Sequence, residues 1–339
     1  MTTAIMLLLG GVTVFILGLR LIGENVERAL GEKVKRGISQ ATGRPITACL
    51  LGVGATSVAQ SSVAVNMAVI SLVDAGVVTF SGACAVIMGT NVGTTITAQL
   101  VSLSFASFDV TAIGSLVCFL GFILSNVKNG RFRAHGDIVL GFGLIFIGIE
   151  IMTDTVGLFY GEELFTKLFS IKSAPIMLLN GFFITALCQS SSVVSSLLVI
   201  LAADGKIDFY SAVFIILGSN VGTCAAVMVA TRNKGLVARR SALFNLIFNA
   251  VGAALFAAAF GIFKDFFIDL FTKNAGIARA VANFHTFFNT VSALLLFPFL
   301  KPLGRLCGLI CKEKISVREN KRTDSSKIGR KSDEIKTFY

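Results

Sequence analysis

The chain has 339 residues, 54% of them hydrophobic and only 14% charged, with a mean hydropathy of +0.81. A soluble domain carries about 25% charged residues, so a single water-facing core is excluded and a lipid bilayer is the solvent to consider. The formal net charge is +11, but the basic residues gather in short linkers and at the chain end, which fits membrane topology and not a nucleic-acid partner.

Apolar runs recur near residues 4–22, 45–73, 76–101, 110–127, 136–153, 175–203, 206–230, 238–263 and 281–300. Most exceed the roughly 18–20 residues that a helix needs to cross about 30 Å of hydrocarbon. No basic segment precedes the first run, and Arg20-Leu-Ile-Gly-Glu-Asn follows it in place of a small-residue cleavage site, so it reads as a retained helix. Arg28, Lys33, Lys35, Arg36 and Arg44 place the linker 23–45 in the cytoplasm. Lys128, Arg131 and Arg133 do the same for the linker after the fourth run, Arg232, Lys234, Arg239 and Arg240 for 231–240, and Lys301, Arg305 and the tail for the C-terminus. The linkers 102–109, 155–174 and 264–279 are neutral or mixed and are placed outside.

These assignments require an odd number of crossings between 23–45 and 102–109, where two runs lie, and again between 155–174 and 231–240. One run in each half therefore enters the membrane and returns. The expected fold is an all-α integral membrane protein of two inverted-topology repeats, each with a re-entrant helical hairpin, plus one extra C-terminal transmembrane helix. Its boundaries are 1–130 and 131–265 for the repeats, 266–311 for the extra helix and 312–339 for a basic, disordered cytoplasmic tail. The location is the plasma membrane, multi-pass; oligomerisation is left open.

Self-comparison supports the duplication. Gln60-Ser61-Ser62 recurs as Gln189-Ser190-Ser191, and Gly89-Thr90-Asn91-Val92-Gly93-Thr94 as Gly218-Ser219-Asn220-Val221-Gly222-Thr223, both 129 positions on. Gly76 and Phe80 keep the same offset to Gly205 and Phe209. Polar side chains inside apolar segments cost about 1–3 kcal/mol unless satisfied, so packing alone does not account for Gln followed by serines. Each Gln-Ser-Ser divides its run into halves of about 12–14 residues, roughly 20 Å as helix, which makes it the tip of a hairpin near the midplane. Pro45 and Pro175 suit the entry points. A half-helix N-terminus at such a tip attracts an anion and a half-helix C-terminus attracts a cation, while neutral oxygens suit hard cations such as sodium. Glycines flanking Asn91 and Asn220 are expected to let the backbone leave helical geometry and free carbonyls.

A duplicated Gln-Ser-Ser, each copy followed about thirty residues later by Gly-(Thr/Ser)-Asn-Val-Gly-Thr, resembles the type II sodium–phosphate cotransporter family and its bacterial relatives over roughly residues 1–300. Phe244-Asn245 and Phe284-His285-Thr286-Phe287-Phe288-Asn289 are weaker marks of it. The resemblance implies sodium-coupled symport of inorganic phosphate, with sodium as coupling ion and no other cofactor. By the same resemblance Gln60, Ser61, Ser62, Gln189, Ser190, Ser191 and Ser192 contact substrate or sodium, and Thr90, Asn91, Thr94, Ser219, Asn220 and Thr223 complete the cation sites. Val63 stands where the second copy has Ser192, so strict two-fold equivalence is not expected, and the tail is too short for the cytosolic helical domain of many bacterial relatives. Alternative readings are a transporter of another small anion or solute and an intramembrane serine hydrolase, the latter weakened because neither histidine lies in a repeat motif.

Other residues have plainer expectations. Asp74 and Asp204 read as turn caps, Arg20 and Glu150 as snorkelling or ion-paired, His135 as solvated in a linker, and His285 as bonded to a backbone carbonyl. Cys84, Cys118, Cys188 and Cys224 read as small hydrophobes.

Overall fold

The computed structural model describes residues 2–41, 43–105, 110–127, 130–158 and 173–312, without the side chains of 26–41, 110–111, 130–131 and 156–157. The side chains of Arg28, Lys33, Lys35, Arg36, Lys128 and Arg131, most of the linker 155–174 and the tail beyond Lys312 lie outside that description. Among the described residues the regular structure is helical: α1 Thr2–Ala41, α2 Pro45–Ala59, α3 Ser62–Asp74, α4 Phe80–Leu103, α5 Val110–Ser125, α6 Gly130–Gly157, α7 Ala174–Cys188, α8 Ser191–Ala203, α9 Phe209–Thr231, α10 Leu236–Ile262, α11 Lys264–Thr272, α12 Ile277–Leu296, a 3-10 turn Phe297–Phe299 and α13 Leu300–Ile310.

Helices α1, α4, α6, α9, α10 and the α12–α13 run are long and apolar enough to cross a membrane. The fifteen-residue α2 and α7, about 22 Å each, are not. A virtual Cβ on Gly89 falls against Cys49, and one on Gly93 against Val53 and Thr56, so α2 runs parallel to α4. Asn66 meets Thr90, and a short loop joins α3 to α4, so α3 runs antiparallel to α4. The segment therefore enters and returns as a hairpin. The second copy packs alike, with Gly218 on Leu178 and Gly222 on Phe182. The inversion is visible where α1 meets α6: Gly11 faces Met152, Phe15 faces Gly148 and Gly18 faces Gly141, an antiparallel register between corresponding helices of the two repeats.

One end of the bundle is basic. There Asp74 at the end of α3 lies against Gly235 at the start of α10, Lys234 Nζ reaches Ser71 Oγ at 3.3 Å, Gly304 of α13 abuts Phe80, and the Arg240 Nε–H donates to Cys311 O at 3.1 Å.

Several expectations change. Gly76 and Gly205, with φ of 73° and 68°, close the hairpin bases, because only glycine adopts that conformation without a Cβ penalty. Asp204 is the C-cap residue of α8, as expected, and lies 3.8 Å from Lys206, whereas Asp74 is the last residue of α3 and faces the other repeat. Arg20 is exposed, and the antiparallel register sets Glu150 level with Gly11–Phe15, well over a turn away, so the two are not an ion pair. His135 is exposed but belongs to helix α6, not a linker. The 264–279 linker contains α11, which buries Phe267, and the extra helix begins at Ile277 and continues through a 3-10 turn at Pro298 to Ile310.

Candidate functional site at the hairpin tips

Both hairpins break in the same way. Gln60 (φ 53°) and Gln189 (φ 55°) are the non-glycine residues with positive φ among the described residues, and each caps the C-terminus of its half-helix through its own N–H, to Thr56 O at 2.8 Å and Thr185 O at 2.7 Å. A left-handed residue other than glycine costs about 1–2 kcal/mol and persists where the surroundings over-determine it. The next residue, Ser61 or Ser190, is extended and caps the following half-helix, its Oγ accepting from Ala64 N at 3.2 Å or Val193 N at 3.4 Å. The N–H groups of Ser62 and Val63, and of Ser191 and Ser192, then have no acceptor within their own helices. Each tip thus pairs a half-helix C-terminus with a half-helix N-terminus.

The tips meet at a residue outside both repeated motifs. Thr97 of α4, 1% exposed, donates its hydroxyl to Gln60 Oε1 at 2.7 Å and lies 3.4 Å from Ser192 Oγ. The Gln60 Nε2 donates back to Ser57 O at 2.5 Å. One side chain therefore joins the first repeat's glutamine to the second repeat's serine. The position equivalent to Thr97 is Ala226, and the position equivalent to Ser192 is Val63. Both hydroxyls of the bridge thus stand where the other repeat has an aliphatic residue. Gln60 is buried by it, while Gln189 is exposed. Ser191 and Ser192 are buried, Ser61, Ser62 and Ser190 half-buried. Thr97 was legible only as a small polar residue in an apolar helix, a weak signal because threonine can bond its own backbone.

The Asn motifs do not unwind. α4 and α9 are continuous through Gly89–Thr94 and Gly218–Thr223. Their glycines serve close approach instead: a Cβ on Gly89 would lie 2.0 Å from Cys49 O, and one on Gly218 1.8 Å from Leu178 O. Thr94 and Thr223 return their hydroxyl protons to Thr90 O and Ser219 O, at 2.8 and 3.1 Å. Thr90 Oγ1 lies 2.9 Å from Asn66 Oδ1, Asn91 Nδ2 donates to Ile87 O at 2.9 Å, and the Thr185 hydroxyl donates to Ser219 Oγ at 2.7 Å. Asn220 does not stay within its repeat: its Nδ2 donates to Asn289 Oδ1 of α12 at 2.5 Å, which ties the extra helix to α9. A double-mutant cycle on Asn220→Ala and Asn289→Ala, read by thermal melting in detergent, gives a coupling of about 0.5–1.7 kcal/mol, the range for interhelical bonds between membrane helices.

His285, 1% exposed on the same helix, has an Nδ1 without a hydrogen-bond partner, so the expected carbonyl bond is absent. Cys188, the last residue of α7, is exposed and does not pack as a small hydrophobe, because the half-helix ends there. Among the described residues no group of three His, Cys, Asp or Glu could hold a metal ion. The junction offers neutral hydroxyl, amide and carbonyl oxygens, which fit a hard monovalent cation better than a thiophilic metal. A separate open recess of about 470 Å³, lined by Asp208, Tyr210, Lys264 and Thr272, lies at the opposite end from the basic linkers and does not include the tips.

Paired half-helices meeting inside a bundle of apolar spanning helices define a multi-pass, all-helical membrane protein of two repeats, with the architecture of a secondary transporter. The chain belongs to the Na+/Pi-cotransporter family, whose pattern matches residues 14–154 and again 155–294. It is a family of transporters and not of enzymes. The chain is 27% identical over 314 residues to the Escherichia coli K12 protein named "Putative inorganic phosphate export protein YjbB", covering 90% of this chain and 55% of that one. It is 30% identical over 312 residues to "Uncharacterized protein YqeW" of Bacillus subtilis strain 168, covering 88% of this chain and 96% of that one. The chain therefore spans about half the length of the relatives named for phosphate export. No solved structure matches it.

Proposed function

We propose that this chain carries inorganic phosphate across the plasma membrane coupled to sodium, by alternating access around the junction of the two hairpins. The observation that supports the reading is the meeting of the two hairpin tips at Thr97, whose hydroxyl contacts the C-cap Gln60 of the first hairpin and Ser192 in the first turn of α8. The substrate contacts are Gln60, Ser61, Ser62, Gln189, Ser190, Ser191 and Ser192. Sodium is held by the oxygens of Gln60, Ser62, Gln189 and Ser191, completed by Thr90, Asn91, Thr94, Ser219, Asn220 and Thr223. In Thr94 and Thr223 the hydroxyl proton is already given to the helix backbone, which leaves an oxygen lone pair for a cation. Exposed Gln189 and buried Gln60 then differ in role: the first meets arriving substrate, and the second holds the two repeats in register. The basic end faces the cytoplasm and carries the C-terminus.

Uptake of radiolabelled phosphate into proteoliposomes with an imposed sodium gradient tests the reading. The expected outcome is uptake that follows the direction of the sodium gradient and collapses when potassium replaces sodium; phosphate uptake indifferent to sodium rejects the coupling. The relatives named for export favour a second reading, phosphate efflux. Efflux from phosphate-loaded, sodium-free vesicles is its signature. Competition by arsenate and by sulfate separates phosphate from other small anions.

A further inference from the structure

Away from the hairpin tips, α9, α10 and α12 turn polar side chains toward one another. Asn220 and Cys224 of α9, Asn245 and Asn249 of α10, and Asn289 and Ser292 of α12 are each no more than 5% exposed. Their contacts close into a ring. Asn220 Nδ2 donates to Asn289 Oδ1, and Ser292 follows Asn289 by three residues, on the same face of α12. The Ser292 Oγ lies 2.9 Å from where a Cβ on Gly252 would stand, so it faces α10 at a residue that has no side chain. Three residues before Gly252, on the same face of α10, Asn249 Nδ2 donates to Cys224 Sγ at 3.5 Å and to Asn245 Oδ1 at 3.0 Å. Cys224 stands one turn beyond Asn220, and its thiol reaches Asn220 O at 3.7 Å.

Polar glue between membrane helices accounts for the amide bonds. It does not account for Ser292, whose buried Oγ has no hydrogen-bond partner, although a helical serine can return its hydroxyl to the backbone one turn back. Nor does the duplicated fold require the ring. At the offset of 129, Asn245 and Asn249 correspond to Leu116 and Leu120, which are exposed on α5, and Asn91, the counterpart of Asn220, gives its Nδ2 to Ile87 O of its own helix. The chemistry left over in the ring is one-sided. The amides of Asn220, Asn249 and Asn289 already donate, the last to His285 O at 2.9 Å. Asn245 Oδ1 and Asn289 Oδ1 each keep a lone pair beyond the bond they accept, and Ser292 Oγ keeps both of its own. Neutral oxygens gathered where the amide donors are engaged suit a hard monovalent cation and not an anion, and a ring without a carboxylate lacks the usual ligands of calcium.

We propose that this ring is a sodium site, with Ser292 Oγ, Asn289 Oδ1 and the carboxamide oxygens of Asn245 and Asn249 as its ligands. It extends the cation contact at Asn220 onto two helices outside the repeated motifs. Its part in coupling rests on the proposed sodium-linked phosphate transport, but its chemistry does not: the ring binds sodium with no phosphate present.

Thermal melting of the purified full chain in phosphate-free detergent solution, titrated with sodium chloride against potassium chloride at constant ionic strength, is the test. A ligand that binds only the folded state raises Tm as its concentration passes Kd, so wild type is expected to melt higher in sodium than in potassium. Ser292→Ala removes a ligand and an unsatisfied buried hydroxyl together. It is expected to melt no lower than wild type in potassium and to need at least about tenfold more sodium for the same gain in Tm. Ser292→Cys, close in size but with sulfur in place of the hard oxygen, is expected to lose the sodium gain as well, and stands in for alanine if that variant folds poorly. A wild type that melts alike in both salts overturns the proposal, as does a sodium midpoint unchanged in the variants. Loss of the sodium gain in the variants of a protein whose phosphate uptake ignores sodium supports the site and rejects the coupling alone. Sodium-driven phosphate uptake with an unchanged midpoint in the variants rejects the site and leaves the transport reading standing.

Discussion

On the proposed reading, Thr97→Val will lower phosphate uptake about tenfold or more while leaving a folded, monodisperse protein. Valine matches threonine in shape and removes only the hydroxyl, so the buried Oε1 of Gln60 loses its donor and Ser192 loses its neighbour. Leaving a buried acceptor unpaired costs about 1–3 kcal/mol, and a cost of that size in any step of the cycle converts to roughly 5–150-fold in rate. Thr97→Ser, which keeps the hydroxyl, will stay within about threefold of wild type on the same scale. Ser192→Ala will do less than Thr97→Val, because 3.4 Å is a long contact and the glutamine keeps its donor. Initial uptake rates alongside melting curves decide the matter: a Thr97→Val protein that transports like wild type removes the bridge from the mechanism.

Gly218→Val will abolish recovery of folded protein. The added Cβ would stand 1.8 Å from the Leu178 carbonyl oxygen, and a backbone carbonyl in mid-helix cannot turn aside as a side-chain end can. Separating α7 from α9 to make room loosens the packing that seats the second tip, and the strain exceeds the 1–3 kcal/mol usual for overpacking, to about 4 kcal/mol or more. Gly89→Val meets Cys49 O at 2.0 Å and will behave alike. Gly54→Ala, on α2 with no atom within 4 Å, is the control and will leave yield and Tm unchanged. The measurement is the monodisperse peak in size-exclusion chromatography from matched expression cultures. Normal recovery of Gly218→Val would mean that the hairpin does not lie on α9 as described.

The two substitutions divide the polar motifs into parts with different jobs. The Gly-(Thr/Ser)-Asn-Val-Gly-Thr segments are helical seats, in which small residues admit a second backbone and hydroxyls turn inward. The Gln-Ser-Ser segments are the breaks, where a left-handed glutamine and an extended serine end one helix and start the next within two residues. Glycine beside asparagine does not break the helix in either copy. Inside a membrane, glycine is tolerated in a continuous helix, and its lack of a side chain is used for helix–helix contact.

Much of the architecture was written along the chain. Apolar runs of spanning length, basic residues clustered in alternate linkers and a register of 129 held by two polar motifs determine two inverted repeats with one returning segment each, because a bilayer forbids unpaired backbone and charge over that distance and so leaves few ways to thread the chain. The break at Gln-Ser-Ser was legible for the same reason. Which copies of these motifs are buried, and against what, belonged to the tertiary structure. Thr97 reaches Gln60 across 37 positions and Ser192 across 95, and Asn220 reaches Asn289 across 69. No local pattern distinguishes those hydroxyls and amides from others that bond their own helices. Ala226 and Val63 make the halves unequal only once both tips share one space, since a single hydroxyl can face two partners there and its counterpart can face none.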